Sequence, residues 1–155
     1  METTSIVETL QTMEFVHGLE SQQLEKLATM ATEVAFPEGE TIFQEGTLSD
    51  KVYLIWEGQV AIGMHVPGRG RMPILTLGPG HLVGWSPLFG QERYTATART
   101  LKPTLALAFN ADQLRHVCQT DHELGCFLGW RVAKVVADRL KSTRLQLLDI
   151  FGPNI

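Results

Sequence analysis

The chain has 155 residues and a mass of 17.2 kDa, and 44% of its residues are hydrophobic, which is typical of one globular domain. Its 13 Lys and Arg residues against 17 Asp and Glu residues give a formal net charge of −4. This balance argues against the clustered positive charge that nucleic-acid or anionic membrane surfaces attract, so we expect neither a nucleic-acid partner nor a membrane partner.

The cysteines and the N-terminus bear on the compartment. Cys118 and Cys126 form neither a C-x-x-C pair nor a disulfide framework, which is typical of a reducing cytoplasm. Glu2 and Glu8 stand where a signal peptide would carry basic residues, and no apolar run approaches the roughly 20 residues of a membrane span. We expect a soluble cytoplasmic protein whose single domain covers residues 1–155.

Residues 1–31 are predicted to be helical. One apolar helix face is indicated by Ile6, Leu10 and Met13, which recur at steps of four and three. Gly18 is expected to end this helix, and Ser21 is expected to cap a second one. The inner face of the second helix is expected to carry Leu24, Leu27, Ala28 and Ala31.

Residues 33–109 follow a different pattern, in which short apolar runs alternate with turn-forming residues. Ten of the fourteen glycines lie between Gly39 and Gly90. Seven or eight strands at this spacing predict a sandwich or barrel-like roll. The predicted strands are residues 34–36, 41–44, 52–56, 59–66, 74–77, 94–101 and 105–109.

Residues 110–148 return to helical patterns. Asn110 with Gln113 predicts a capping box for a short helix through about Cys118. Thr120 with Glu123 predicts a second box, for a long helix over residues 121–148 that Gly152-Pro153 follows.

The long helix carries an apolar stripe at steps of three and four, formed by Leu124, Leu128, Val132, Val136, Leu140 and Leu147. A helix of about 40 Å overhangs so small a domain, and a twin helix from a second copy would bury its stripe. We therefore expect a homodimer whose helix contacts are Leu124, Leu128, Val132, Val136 and Leu140. The alternative is a helix folded back on its own roll.

Enzymatic and metal-binding patterns are weak. The G-x-S-x-G elbow fails at Leu88, and Pro87 would break its strained turn, so Ser86 is not expected to act as a nucleophile. His122, Cys126 and Cys118 match no closed zinc site. We expect no enzyme and no metal.

Some smaller motifs have structural interpretations. Gly125 and Gly129 are expected to permit close helix packing, and residues 67–71 are expected to form a solvated hairpin tip. Trp56 and Trp130 are expected to be packing residues.

Residues 72–91 contain no Lys, Arg, Asp or Glu, which is unusual for a surface connection. Ser86 followed by Pro87 predicts an N-cap and the first residue of a short helical turn, and Gly84 before it allows a ligand to approach the backbone. Exposed amides at such a turn favour a small anionic ligand. The alternative is a buried crossover between strands that binds nothing.

The order of elements resembles the cyclic nucleotide-binding domain of the catabolite-activator type over about residues 15–150. Three stretches carry the resemblance. They are Pro37-Glu38-Gly39-Glu40-Thr41-Ile42-Phe43-Gln44-Glu45-Gly46, Ser49-Asp50-Lys51-Val52-Tyr53-Leu54-Ile55-Trp56-Glu57-Gly58 and Leu77-Gly78-Pro79-Gly80.

The resemblance implies a phosphate-binding cassette at residues 83–88 and 94–96, with candidate ligand-binding residues Gly84, Trp85, Ser86, Arg93, Tyr94, Thr95 and Ala96. In the family, a glutamate holds the ribose hydroxyl and an arginine pairs with the cyclic phosphate. Trp85 and Tyr94 stand at those two positions here. Arg93 is one residue away, on the opposite side of an alternating strand.

The resemblance implies an α+β fold, an antiparallel β-roll of jelly-roll type between N-terminal helices and a long C-terminal helix. We expect a stand-alone regulatory module with weak or lost cyclic-nucleotide binding, which signals through this helix to an effector protein. The ligand would be a cyclic nucleotide or another small anion. The alternative is a genuine cyclic AMP or cyclic GMP receptor that uses Trp85 and Arg93. Only residues 149–155 follow the helix, so no DNA-binding domain is expected.

Overall fold

A computed structural model of the chain describes residues 3–90 and 92–151. The α-helices in this part of the chain are α1 (Thr3–Gln11), α2 (Ser21–Met30), α3 (Ala111–Thr120) and α4 (His122–Phe151). The strands are β1 (Ala31–Phe36), β2 (Thr41–Phe43), β3 (Lys51–Glu57), β4 (Val60–Val66), β5 (Gly70–Leu77), β6 (Leu82–Val83), β7 (Thr97–Thr100) and β8 (Thr104–Asn110). Two 3-10 turns, Glu14–Val16 and Ser86–Phe89, complete the order.

The strands form two antiparallel sheets of four strands each in the described residues. Their orders are β1-β8-β3-β6 and β2-β7-β4-β5. The predicted antiparallel β-roll with flanking helices and a long C-terminal helix is therefore confirmed. Chain neighbours such as β3 and β4 lie in different sheets, which is how a roll closes around an interior.

Strand β3 separates two apolar clusters because its successive side chains point to opposite faces. Val52 and Leu54 pack with the helices on the outer face of the first sheet. Tyr53 and Ile55 pack inside the roll, against the second sheet. Burial on both faces explains why this strand is an unbroken apolar run, whereas a strand with one face in solvent would alternate apolar and polar residues.

The N-terminal helices differ from the prediction at their ends. Helix α1 ends at Gln11, and a separate 3-10 turn comes before Gly18, so Gly18 does not end the first helix. Ser21 is the first residue of α2, and the N-cap is Glu20. Its side chain and that of Gln23 exchange hydrogen bonds with each other's backbone in a capping box.

Ala31 belongs to β1 and pairs with Phe109, so its predicted place on the inner face of the second helix is wrong. The remaining inner-face residues are confirmed, because Leu24, Leu27 and Ala28 are buried. Met1 and Glu2 lie outside the described residues.

Asn110 caps α3 as predicted, since its side chain accepts a hydrogen bond from the Gln113 backbone N–H at 3.0 Å. This is one half of the predicted capping box; the described hydrogen bonds do not include the return bond from the Gln113 side chain. Helix α4 does not begin as predicted. The Leu124 N–H donates to the Asp121 carboxylate at 3.1 Å, whereas the Thr120 hydroxyl donates to the His116 carbonyl. The Leu124 bond, and then Lys26, lower the pKa of Asp121. The cap of α4 is therefore Asp121 and not the predicted Thr120.

Helix α4 has 30 residues, a length of about 45 Å. Leu124, Leu128 and Val132 are buried against the chain's own roll, and Val136 packs beside them. The first half of the stripe is thus folded back, and the prediction that these residues form the dimer contact is corrected. Leu140 is half exposed, and every residue from 141 to 151 is exposed.

Within the described residues, no helix combines the length and apolar character that crossing a membrane requires. The predicted Gly152-Pro153 stop after α4 lies outside those residues.

The strand predictions were least accurate around the uncharged segment. The predicted strand at 94–101 is regular only over β7, and the preceding residues make one isolated bridge between Leu48 and Arg93. Strand β6 lies inside the uncharged segment and was not predicted. Within this segment Leu82, Val83, Ser86 and Pro87 are buried, whereas both ends of the segment, at Met72 and Gly90, are exposed. The segment is therefore only partly the buried crossover of the alternative prediction. Gln91 lies outside the described residues.

Candidate functional site

Gly84, the second residue of the predicted cassette, directly follows the two-residue strand β6. Gly84 has a φ of +78°, a conformation that L side chains rarely adopt. A Cβ atom added there would lie 2.9 Å from Cε2 of Phe43. The backbone therefore approaches an aromatic ring at the point where the resemblance predicts a ligand.

Tyr94 fills the space next to this glycine. Its ring stacks on Phe43 with centroids 4.0 Å apart and an interplanar angle of 13°. Its hydroxyl donates to the Lys51 carbonyl at 2.7 Å and accepts from the Lys51 N–H at 3.2 Å. Only 5% of Tyr94 is exposed, so both the ring and the hydroxyl are fixed inside the protein.

The stacked pair continues into a row of four aromatic rings across the roll. Tyr53 stacks on Phe43 at 6.2 Å, and Phe36 meets Tyr53 edge-on at 6.0 Å. Burial raises the pKa of Tyr53 to about 12, and burial also raises the pKa of Tyr94. The interior of the roll beside the cassette is therefore occupied by neutral aromatic side chains.

Trp85 points away from this interior. Its ring is half-buried and meets Phe89 edge-on, with centroids 5.9 Å apart. It packs with the cluster that the helices form on the outer face of the first sheet. The indole therefore neither fills the roll nor lies beside Tyr94.

Arg93 is exposed whereas Tyr94 is buried, although both residues precede the regular strand β7. Its guanidinium donates to the Gly46 carbonyl at 2.8 Å. Backbone hydrogen bonds join the same two segments, from Gly46 N–H to the Tyr94 carbonyl and from Tyr94 N–H to the Thr47 carbonyl. Arg93 thus helps to hold residues 92–96 against the loop after β2.

Ser86 and Thr95 meet across the cassette, with their hydroxyl oxygens 3.4 Å apart. Ser86 is the first residue of its 3-10 turn, and Trp85 occupies the N-cap without a side-chain hydrogen bond, so the predicted N-cap at Ser86 is wrong. Ala96 is half-buried. The structure thus brings Gly84, Ser86, Tyr94 and Thr95 to one place, while Trp85 and Arg93 point elsewhere. Their role in ligand binding stays a prediction.

The two tryptophans Trp56 and Trp130 differ in their surroundings. Trp56 packs against the helix-side cluster, but 75% of Trp130 is exposed, so the prediction that Trp130 is a packing residue of this chain is wrong. Among the described residues, no group of three His, Cys, Asp or Glu side chains is arranged to hold a metal ion.

Sequence reasoning missed the contacts between α4 and the roll. Arg139 donates to the Leu82 carbonyl, two residues before Gly84, and burial lowers the pKa of the guanidinium to about 10. Gln146 donates to the Ile74 carbonyl in β5 at 2.6 Å. The signal for Arg139 was its position seven residues after Val132, on the face of α4 that packs against the roll.

The chain matches known proteins over most of its length. A family model, the cyclic nucleotide-binding domain, matches residues 33–121. A CRP-like cAMP-activated global transcriptional regulator from Mycobacterium tuberculosis is 31% identical over 139 residues, which are 89% of this chain and 60% of that regulator.

Two solved structures show the same fold. A protein from Geobacter metallireducens GS-15, named for cyclic nucleotide binding, has a TM-score of 0.76 at 31% identity, over 86% of this chain and 96% of that one. Thermus thermophilus catabolite activator protein has a TM-score of 0.73 at 24% identity, over 89% and 62% of the two chains.

These matches correct one expectation. The prediction that no nucleic acid is a partner is wrong, because the similar protein from M. tuberculosis is a transcriptional regulator. The present chain spans 60% of that regulator's length. The small number of residues after α4, and the net charge of this chain, are therefore no argument against such a role.

Proposed function

The chain belongs to the cyclic nucleotide-binding domain family, and from this premise we propose that it is a regulatory module whose roll no longer accepts a cyclic nucleotide. Its output is the position of α4, which a second copy of the chain and an effector protein contact. The role is regulatory rather than catalytic and is exercised in the cytoplasm, in keeping with the regulators that the chain resembles.

The observation that carries this proposal is the position of Tyr94. The resemblance places the phosphate-binding arginine of the family there, and this chain instead has a ring stacked on Phe43 and bonded to Lys51. A ligand next to Gly84 would have to displace that ring. Displacement would break the stacking and leave two backbone groups of Lys51 without their partner, which opposes binding.

The absence of a glutamate at position 85 also weakens the binding of a cyclic nucleotide. Trp85 replaces the glutamate that the resemblance assigns to the ribose hydroxyl, and its indole packs on the helix side. Charge-assisted hydrogen bonds contribute roughly 1.5–3 kcal/mol each, so the loss of two weakens a nucleotide by about two to four orders of magnitude.

The contacts of α4 support its role as the output. Arg139 holds the Leu82 carbonyl, and Leu82 is joined through Val83 to Gly84. Gln146, about two helical turns further along α4, donates to the Ile74 carbonyl of β5. A change of backbone position at the cassette therefore alters the groups to which α4 is bonded, so two positions of the helix can be populated to different extents.

The exposed side of α4 supports a homodimer on a different face from the predicted one. Exposed residues recur at steps of three and four over three heptads, the spacing of a coiled-coil seam. These seam residues are Trp130, Ala133, Ala137, Leu140, Arg144, Leu147 and Phe151. Of the predicted contacts, Leu140 remains in this proposal.

The test is a thermal unfolding assay with cyclic AMP and cyclic GMP. A ligand at one hundred times its dissociation constant stabilises a fold by about 2.7 kcal/mol, a midpoint shift of roughly 5–10 °C at this chain length. We expect no shift. A shift that Arg93→Ala abolishes, and that the exposed-surface control Arg69→Gln leaves intact, would instead establish the alternative receptor that uses Arg93.

A further inference from the structure

A cavity of about 290 Å³ lies outside the roll, between the outer face of the first sheet and helices α3 and α4. Val52 and Leu54 of β3 form its floor, and Leu128 and Val132 of α4 form one wall. The cavity lies on the opposite face of β3 from Tyr53 and Ile55, which point into the roll. Leu88 and Phe89, in the turn that follows Gly84, also line it, so the cavity borders the cassette from outside the roll.

Gly129 lines this cavity at an exposed position of α4. Glycine is among the least favourable residues inside a helix, so an interior glycine in α4 calls for a reason. Gly125 has one, because a Cβ atom there would overlap the backbone of Cys118 in α3. A Cβ atom on Gly129 would meet nothing within 4 Å, and Gly129 lines the cavity. Its missing side chain therefore leaves space rather than permitting a helix contact.

The lining is apolar except at α3. Arg115 and Gln119, one helical turn apart, are the long polar side chains among the described lining residues, and Arg115 alone carries a full charge. Arg115 pairs with the exposed Asp112 on the same helix, an ion pair that water weakens. Burial raises the pKa of the Cys118 thiol, so this lining residue is neutral.

We propose that this cavity binds a small amphipathic carboxylate, whose apolar body lies between β3 and α4 and whose carboxylate pairs with Arg115. The volume admits roughly ten non-hydrogen atoms, taking the share of liquid volume that one water molecule occupies. Octanoate has that size and that distribution of charge. In the complex, the ligand carboxylate takes the place of the Asp112 carboxylate beside the Arg115 guanidinium.

The experiment is a calorimetric titration of the chain with octanoate at submicellar, millimolar concentrations. We expect saturable binding of one molecule per chain. Arg115→Gln should weaken binding about tenfold or more, since a charge-assisted bond is lost, and Arg69→Gln on the β4–β5 hairpin should not. 1-Octanol, which lacks the carboxylate, should bind more weakly by a similar factor.

A second pair of variants tests the cavity itself. Gly129→Leu should fill the space and abolish octanoate binding, whereas Cys126→Leu, at an exposed position of the same helix, should retain it. Thermal unfolding checks that both variants fold, and Arg115→Gln remains an independent test if Gly129→Leu does not. Absent binding, equal binding of 1-octanol, or octanoate binding that survives a folded Gly129→Leu variant would overturn the assignment.

Discussion

Tyr94 fills the interior of the roll next to Gly84 and is held there by its hydroxyl and by its ring. Its hydroxyl satisfies both the N–H and the carbonyl of Lys51, and its ring covers Phe43. The sequence comparison indicated that an arginine was missing from this position. It did not indicate that the replacement would seal the interior, because stacking with Phe43 depends on a contact between distant segments.

Tyr94→Phe removes the hydroxyl and keeps the ring. We expect the free energy of unfolding to fall by about 1 kcal/mol, with a range of roughly 0.5–3 kcal/mol, because two buried backbone groups of Lys51 lose their partner. Urea unfolding measures the change. Tyr53→Phe, which leaves the Lys51 bonds intact, is the matched control. An unchanged midpoint for Tyr94→Phe would show that this hydroxyl contributes nothing.

The two tyrosines of the chain also predict a pH dependence. Each ionises near pH 10 in the unfolded chain, but burial raises the pKa of Tyr53 to about 12 and also raises that of Tyr94. Stability that these groups contribute is fully present below pH 10 and is lost as the pH rises towards 12. Tyrosinate absorbance of the folded protein should therefore appear well above pH 10. Ionisation of both groups at pH 10 would mean that the interior is open to water.

At the scale of elements, a predicted helix cap was correct where a single hydrogen bond between residues close in sequence determines where the helix begins. Asn110 caps α3 as predicted, because the bond joins residues three apart. Strand β6 was missed because two residues carry no periodicity, and its existence depends on pairing with Tyr53 and Leu54 of β3. The cap of α4 moved from Thr120 to Asp121 because both residue types can cap a helix, and local sequence does not rank them.

The apolar stripe of α4 was predicted correctly, but the chain's own roll, and not the predicted second helix, covers its first half. Periodicity identifies which residues share a face and does not say whether the chain's own sheet or a second helix covers that face. Leu124, Leu128 and Val132 pack on the roll, and the polar contacts of Arg139 and Gln146 extend this docking. The remaining exposed face of α4 could be identified only after the docked face was known.

The two glycines of α4 give a matched prediction. Gly129→Ala should stabilise the chain by about 0.5–1 kcal/mol, because the helix gains a better residue and the added atom meets nothing. Gly125→Ala should destabilise it by about 1–3 kcal/mol, because the added atom overlaps the Cys118 backbone. Urea unfolding of both variants measures the contrast, and equal effects would contradict the packing of α3 on α4.

At the scale of the whole molecule, α4 links the roll to whatever contacts the chain. Its first half belongs to the core, and its second half presents the seam that we propose for a second copy. This division explains why the length of the helix predicted an interface, although the predicted contacts did not all belong to it. The proposed interface also lies on the part of α4 that carries Arg139 and Gln146, whose side chains donate to the Leu82 and Ile74 carbonyls of the roll.

Leu140→Glu should convert a dimer to a monomer, because a buried unpaired carboxylate in a helix seam strongly opposes association. Sedimentation velocity measures the mass. Ser142→Glu adds the same charge to an exposed position off the seam and should leave the dimer intact. A wild-type chain that is monomeric at all concentrations, or a Leu140→Glu variant that remains dimeric, would contradict the proposed seam.

The central claim is that Tyr94 closes the roll to the ligand class of the family. Calorimetric titration of the wild-type chain with cyclic AMP tests this most directly, because it reports affinity and stoichiometry together. We expect no saturable heat at concentrations that saturate micromolar sites. Saturable binding of one cyclic AMP molecule per chain would contradict it.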